Sequence, residues 1–458
     1  MHKDRKKSVY IVIRVSSFNN FCSQCRFLIP ENAYLCGLQS RAMINQATIE
    51  FSLQHRNDDP KSLALSVRPP ADVDFAAALQ QIAGWQAARK KLPSWAECDD
   101  IIYPHHLAME QCSSEHTARY KAQVVARLLG KRAKEGTMYD LTGGLGVDFS
   151  FLSPLFGKAV YVEQQHELSE VASHNFKMLG LKNVEARCAT AAETLHSIEH
   201  STMIYLDPAR RDAHGGRTFA LTDCTPDVLS MKSELLEKAD MLMIKLSPML
   251  DWHEVVRQLG DVRELHIISI KNECKEITPV LLSASWRDNI QRTADSTTPE
   301  TKIYCINDNQ EFSFIPSVAT ANNDSRNERA VDDQADCIAG DFLFVPNASV
   351  MKAGCFEEMS SRYGIRQISD NSHLFVSPRF IDDFPGRAFR ISAISSMNKR
   401  ELRQTLGNIT KANIAVRNFP MTAEQLRKRL RLSDGGEDYI FATTDDKGKH
   451  ILLVCNKP

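Results

Sequence analysis

The sequence predicts an α/β fold: a mostly parallel sheet preceded by helices and followed by smaller α+β modules. Three observations carry that expectation. Apolar runs ending in a polar residue recur at Met138–Asp140, Lys158–Glu163, Thr202–Asp207 and Asp240–Lys245, a further run at Leu265–Ile270 leads into Lys271, and helical stretches lie between most of them. Alternation of this kind marks strands joined by crossover helices. The first run opens into a glycine turn, Asp140-Leu141-Thr142-Gly143-Gly144-Leu145-Gly146-Val147-Asp148. The third observation is a strongly basic segment near the C-terminus whose pattern reads strand, helix, strand, strand.

At 458 residues the chain exceeds one ordinary core, so two to four domains are expected. The net charge of −1 gives no argument for nucleic acid, and only a local patch could. No apolar run approaches the ~18 residues of a membrane span, so no membrane partner is expected. The basic start Met1–Lys7 precedes an apolar run that Arg14 interrupts, with no cleavage site after it. A secretion signal is therefore not expected, and the expected location is cytoplasmic. Twelve cysteines spread from Cys22 to Cys455 read as reduced thiols. Cys22-Ser23-Gln24-Cys25 with Cys36 lacks a fourth ligand at finger spacing, so no zinc site is expected there. Residues 1–42 read as a disordered extension, with Met43 as an alternative start.

Residues 43–135 read as helical. Phe75, Leu79, Ile82 and Trp85 recur at three- and four-residue spacing, Asp72 or Asp74 caps them, and Pro93 closes the segment. Ser113 or Ser114 starts a helix running through Val124 to Leu129. His105, His106, Cys112 and His116 do not form a metal set, because adjacent histidines diverge from a regular element.

The catalytic domain is expected over 136–275. Gly144 and Gly146 let the backbone bend and approach a ligand closely. The spacing is not the dinucleotide G-x-G-x-x-G, and the acid precedes the glycines, so the turn is Rossmann-like in a broader sense. Glu163 follows Asp140 by 23 residues (163 − 140), one helix and a return strand later. A carboxylate there suits vicinal ribose hydroxyls. Asp207-Pro208-Ala209-Arg210-Arg211 ends the fourth strand; Pro208 fixes φ and presents Asp207 rigidly. Lys245 ends the fifth, where it points into the ligand crevice of an open α/β sheet and suits substrate or phosphate. Arg210 and Arg211 suit phosphate as bidentate forks. Cys274 lacks the sequence context of a covalent nucleophile. A helix over 276–286 and strands at Thr301–Ile306 and Phe312–Ile315 suggest a small α+β module over 276–320, with a linker and connecting segment at 321–385.

Between 387 and 431 eleven basic residues face two acids, a local charge of +9. Such a face attracts phosphate and releases counterions. Arg387, Arg417, Arg427, Lys428 and Arg429 are the nucleic-acid-binding candidates in a module expected over 386–458.

These motifs resemble a family. D-x-x-x-G-x-G at Asp140–Gly146 is similar to motif I of class I S-adenosylmethionine-dependent methyltransferases, with Thr142 where the family has its first glycine. Asp207-Pro208-Ala209-Arg210 resembles motif IV of nucleic-acid methyltransferases, with Ala209-Arg210 replacing a proline and an aromatic. Together with Glu110–Glu115, Pro346–Ser349 and Asn413–Pro420, the chain from 43 to 458 looks like bacterial, Bacteroidetes-type class I methyltransferases carrying ferredoxin-like and C-terminal THUMP-like domains. The resemblance implies a Rossmann-like methyltransferase sheet, with the 276–320 module ferredoxin-like and 386–458 THUMP-like. It implies S-adenosyl-L-methionine bound by Asp140, Thr142, Gly144, Gly146, Asp148 and Glu163, with Gln111, Ser114 and Thr117 folding over it. The family's adenine-binding acid is absent near Ala189, which leaves Thr190 or backbone groups. Asp207, Pro208, Arg210 and Lys245 are the implied catalytic set, acting on structured RNA (transfer or ribosomal) without a metal. Two alternatives stay open: a protein or small-molecule acceptor, and a catalytically silent RNA-binding protein.

Overall fold

A computed structural model describes residues 44–104, 106–210, 220–286, 300–316 and 338–458. The expected extension with Cys22, Cys25 and Cys36, the residues Arg211 and His105, and the polar stretch 317–337 lie outside the described residues. Among those described, no helix is long and apolar enough to cross a membrane, and no cluster of side chains is suited to a metal ion.

The N-terminal region is helical, as its periodicity predicts: α1 (Gln46–Gln54), α2 (Phe75–Lys91), α3 (His106–Gln111) and α4 (Glu115–Leu129). Asp74 rather than Asp72 caps α2, accepting from the Ala77 N–H at 3.0 Å, and Ser114 caps α4. Each cap satisfies one of the first N–H groups that a helix leaves without a partner. Ala88, Leu92, Trp95, Ile102 and Met109 pack on Leu145 and Val147, so this region forms a wall beside the glycine turn.

A nine-stranded sheet follows. Its first half runs β1 (Thr137–Asp140), α5 (Val147–Leu152), β2 (Lys158–Glu163), α6 (His166–Met178), β3 (Val184–Cys188), α7 (Ala191–Ser197) and β4 (Ser201–Leu206). A two-residue ribbon, β5 (Ala209–Arg210) with β6 (Cys224–Thr225), precedes α8 (Val228–Lys238), β7 (Ala239–Ile244) and α9 (Trp252–Leu259). Then come β8 (Val262–Ile270), β9 (Glu273–Leu282), β10 (Lys302–Asn307) and β11 (Gln310–Phe314). The order is β11-β10-β8-β9-β7-β4-β1-β2-β3, with helices on both faces. β1 lies between parallel β2 and β4, the point where strand order reverses and open α/β sheets bind ligands.

Three expectations are corrected here. The helix expected over 276–286 is a strand as far as Leu282, and only 284–286 are helical. Ile277 to Leu282 form a continuous buried run that pairs with β7 and β8. A two-residue turn, Lys271–Asn272, joins β8 to β9; both residues have positive φ, the geometry that matches the twist of antiparallel strands. The segment 276–320 is therefore not a separate module, because β9, β10 and β11 complete the main sheet. Nor is 321–385 only a connector. It holds β12 (Phe342–Pro346), α10 (Ala348–Ala353), α11 (Phe356–Tyr363), β13 (Arg366–Gln367) and β14 (Phe375–Ser377).

The C-terminal part opens with β15 (Gly386–Ser396) and α12 (Lys399–Leu406) and then has the predicted strand, helix, strand, strand pattern: β16 (Asn413–Val416), α13 (Ala423–Leu430), β17 (Tyr439–Thr444) and β18 (His450–Asn456). One seven-stranded sheet, β13-β14-β12-β15-β18-β17-β16, spans both units. Its seam is the antiparallel pairing of β12 with β15. Val350, Cys355, Met359 and Phe375 pack in one cluster with Ile267, Ile303, Cys305 and Phe312, which fastens this sheet to the first.

Candidate active site

The carboxyl ends of β1, β2, β4 and β7 open into a cleft of about 2640 Å³. That exceeds the roughly 300–1,000 Å³ of ordinary small-ligand pockets. Gln111, Ser114, Thr117, Asp140, Thr142, Gly144, Gly146, Asp148, Glu163, Thr190, Asp207, Pro208 and Lys245 all line it. Sequence spacing scattered these candidates over 135 positions (245 − 111, both ends counted), and the fold gathers them.

The turn is built by hydrogen bonds that its sequence supplies. Asp140 Oδ1 accepts from the Thr142 N–H at 3.0 Å, and the Asp207 N–H donates to Thr142 Oγ1 at 2.6 Å. Thr142, in place of a glycine, thus ties the turn after β1 to the end of β4. The Gly144 N–H donates to Glu163 Oε2 at 2.9 Å, and the Gln165 N–H donates to Oε1 at 2.8 Å. The Tyr161 hydroxyl donates to the Gly144 carbonyl. Gly144 and Gly146 have φ of +53° and +80°. A Cβ on Gly146 would come within 2.4 Å of Phe176, whereas one on Gly144 would meet only the Thr142 carbonyl oxygen, at 4.0 Å. Gly146 is fixed by packing; Gly144 faces the cleft.

Asp207 and Lys245 are brought together. Lys245 Nζ donates to Asp207 Oδ2 at 2.5 Å, with the lysine side chain 12% exposed and the aspartate 38%. Burial works against the lysine's charge, but Asp207, Asp148 and Glu276 hold its pKa above the ordinary value. Lys245, expected to contact substrate or phosphate, is held here in an ion pair with Asp207. Pro208 leads into β5, and the side chain of Arg210 is outside the described residues.

Below this pair lies a group that the sequence reading missed. Lys121 Nζ reaches Asp148 Oδ1 at 2.9 Å, Glu276 Oε1 at 2.7 Å and Ser113 Oγ at 3.1 Å. Ser113 and the Tyr205 hydroxyl donate to Asp148 Oδ2 at 2.6 and 2.8 Å. All five residues are buried. Asp148 is thus engaged by Lys121 rather than free for a cofactor. Burial and repulsion push Glu276 and Asp140 upward toward the neutral form, while Lys121 and Lys245 overcome burial and draw Asp148 down. A signal was present: Lys121 lies on the face of α4 that also carries Ala118, Val124 and Val125.

Other candidates are partly committed to local structure. Ser114 Oγ accepts from the Thr117 N–H at 3.2 Å, and the buried Thr117 donates back to the Ser114 carbonyl at 3.1 Å. Thr190 closes a capping box with Glu193 at the start of α7. Gln111 is exposed at the end of α3.

The RNA-binding candidates sit elsewhere. Leu402 and Leu406 of α12 and Leu426 and Leu430 of α13 pack in one cluster with Ile440, Ala442, Leu452 and Val454, so both helices cover one face of the seven-stranded sheet. Lys399, Arg400, Arg403, Lys428, Arg429 and Arg431 are exposed on or just after these helices. Arg427 pairs with Asp434 at 2.5 Å and Lys428 with Glu424 at 2.9 Å. Arg417 is exposed just after β16, and the exposed Arg387 lies over Phe389, 5.6 Å from its centroid.

Comparison with known proteins agrees with this architecture. Residues 342–385 match a family described as a ferredoxin-like domain, and residues 386–457 one described as THUMP domain-like. The ferredoxin-like unit thus lies later in the chain than the sequence reading put it. The chain is thus an α/β sheet followed by a ferredoxin-like and a THUMP-like domain. Among solved structures it is similar to a "putative methyltransferase from Porphyromonas gingivalis W83", at 29% identity and a TM-score of 0.75, over 91% of this chain and 100% of that one. An rRNA methylase from Streptococcus thermophilus aligns at 16% identity over 36% of this chain and 94% of its own, with a TM-score of 0.28. A "putative methyltransferase from streptococcus mutans in complex with SAH" aligns at 19% over 28% and 70%, with a TM-score of 0.23. No protein of curated function matches the chain in sequence.

Proposed function

We propose that this chain is an S-adenosylmethionine-dependent methyltransferase acting on structured RNA, a transfer or ribosomal RNA. The observation that carries the reading is the convergence of Asp140, Gly144, Glu163, Asp207 and Lys245 on one cleft at the strand-order reversal. The residues fit the cofactor: Gly144 leaves open the space that a side chain would occupy, and Glu163 holds a fixed carboxylate beside it. When bound, the cofactor supplies an electrophilic methyl group on its sulfonium. Gly144 admits its methionine part, and Glu163 accepts from its ribose hydroxyls. Asp207 accepts a hydrogen bond from the acceptor amine and orients its lone pair, while Lys245 fixes the carboxylate's position and charge. The gain from such residues is positioning. The THUMP-like domain and its two basic helices support RNA as the acceptor, held through phosphate contacts.

Calorimetric titration of S-adenosylmethionine, followed by transfer of a labelled methyl group to RNA from a lysate with and without RNase, tests the proposal. Asp207→Ala should abolish transfer and leave cofactor affinity nearly unchanged. Full turnover in that variant overturns the role of Asp207. Labelling that survives RNase points instead to a protein or small-molecule acceptor. The replacement of the motif IV aromatic by Arg210 favours one further reading, an inactive RNA-binding protein, which cofactor binding without any transfer would support.

A further inference from the structure

The face of the seven-stranded sheet that carries α12 and α13 is not covered evenly. Phe342 of β12 pairs with Arg390 of β15, and Arg390 pairs with Asn456 of β18. Paired residues share a face of the sheet. Two residues along β12, Phe344 lies in the cluster that fastens the sheet to the first one. Two residues back along β18, Val454 lies in the cluster beneath α12 and α13. Side chains two apart point the same way. The row Phe342–Arg390–Asn456 is therefore only partly covered: Phe342 leans on the first cluster and is half-buried, Asn456 is half-buried, and Arg390 between them is exposed.

That strip is a groove of about 570 Å³, lined also by Phe380, Ser392 and Lys457. Phe380 is 45% exposed, unusual for a ring that size, and its centroid lies 5.3 Å from that of Phe342 at an interplanar angle of 58°. The Arg390 guanidinium is 5.8 Å from the Phe342 centroid. Arg390 and Lys457 are exposed cations, while the Ser392 hydroxyl donates to the Val454 carbonyl and the Asn456 amide to Asp438, each at 3.0 Å. An exposed ring with cations beside it suits a base that stacks and a phosphate that pairs. A purely apolar partner would leave both cations without a use, and closed duplex RNA offers no base face to Phe380.

We propose that this groove binds an unpaired nucleotide of the RNA, its base stacked on Phe380 and its phosphate paired with Arg390 and Lys457. The proposal rests on the reading of the chain as RNA-binding. It adds a single-strand subsite beside the basic helices.

Fluorescence anisotropy of the full chain with a labelled single-stranded 12-nucleotide RNA of mixed sequence tests it, beside a closed RNA duplex. Phe380→Ala should weaken single-strand binding by about 5- to 150-fold, leave duplex binding unchanged, and be rescued by Phe380→Trp. Arg390→Ala should lower the slope of log affinity against log salt by ~0.7. Wild-type affinity for the single strand in Phe380→Ala, alongside weakened binding in a Lys428→Ala/Arg429→Ala variant, would overturn the subsite and leave the RNA reading standing. Failure of the wild-type chain to bind either RNA would overturn both.

Discussion

Lys121 is the residue on which the floor of the cleft depends. Its ammonium serves two buried carboxylates, so Lys121→Met strands both without a counter-charge. The expected loss of stability is about 3–5 kcal/mol, read from urea unfolding, and Lys121→Met/Glu276→Gln should recover part of it. A loss no larger than for an exposed lysine would refute this. Asp140 makes a prediction of opposite kind. Its carboxyl is held well above the usual range, mainly by burial. Between the unfolded value and that raised folded value the folded chain binds more protons, so stability falls as pH rises through the window. Asp140→Asn keeps an acceptor for the Thr142 N–H and removes the titration. Its urea midpoint, relative to wild type, should therefore be higher at pH 8 than at pH 5. Glu264 titrates the other way. Burial opposes its charge, yet His266 and the fork of Arg127 hold it at about 2. Its contribution is present above the ordinary carboxylate range and lost as pH falls toward 2. Glu264→Gln should lower neutral-pH stability by about 2 kcal/mol and flatten the acid limb of unfolding.

Elements differ in how openly the sequence announced them. The glycine turn, its flanking strands and the β16–α13–β17–β18 run were legible, because each carries a local signal: a cap, an alternation, a positive-φ residue. β9 was not. Glu276 to Leu282 ends in an apolar stretch without a period, and a short run of that kind does not distinguish a buried strand from a helix. Only its pairing between β7 and β8, a tertiary fact, decides it. The ion cluster was illegible for the same reason: Lys121 and Glu276 stand 155 positions apart. In the turn itself the two glycines should separate. Gly146→Ala meets Phe176 at a positive φ, and melting should register a loss of several kcal/mol. Gly144→Ala bears only the backbone strain, about 1–2 kcal/mol, and should show its main effect as lost cofactor affinity in calorimetry.

For the whole molecule, the matched ferredoxin-like and THUMP-like units are not beads on a string. They share one sheet through β12 and β15, and the first is fastened to the catalytic sheet by Trp252 Nε1, which donates to the Ala353 carbonyl at 3.2 Å, and by Asn347 and Gln310, bonded at 3.1 Å. Scanning calorimetry of residues 338–458 within the full chain should accordingly give one cooperative transition for both units. Two separated transitions would show that the seam does not couple them. The same sheet has a consequence for synthesis on the ribosome. β18 lies between β15 and β17, both of which are translated before it. Until residue 456 has left the exit tunnel, those two strands have no bridge, and two edges of unpaired backbone groups wait in the open. The THUMP-like unit therefore assembles after translation of its final strand, and whatever guards a nascent chain must guard this stretch to the end.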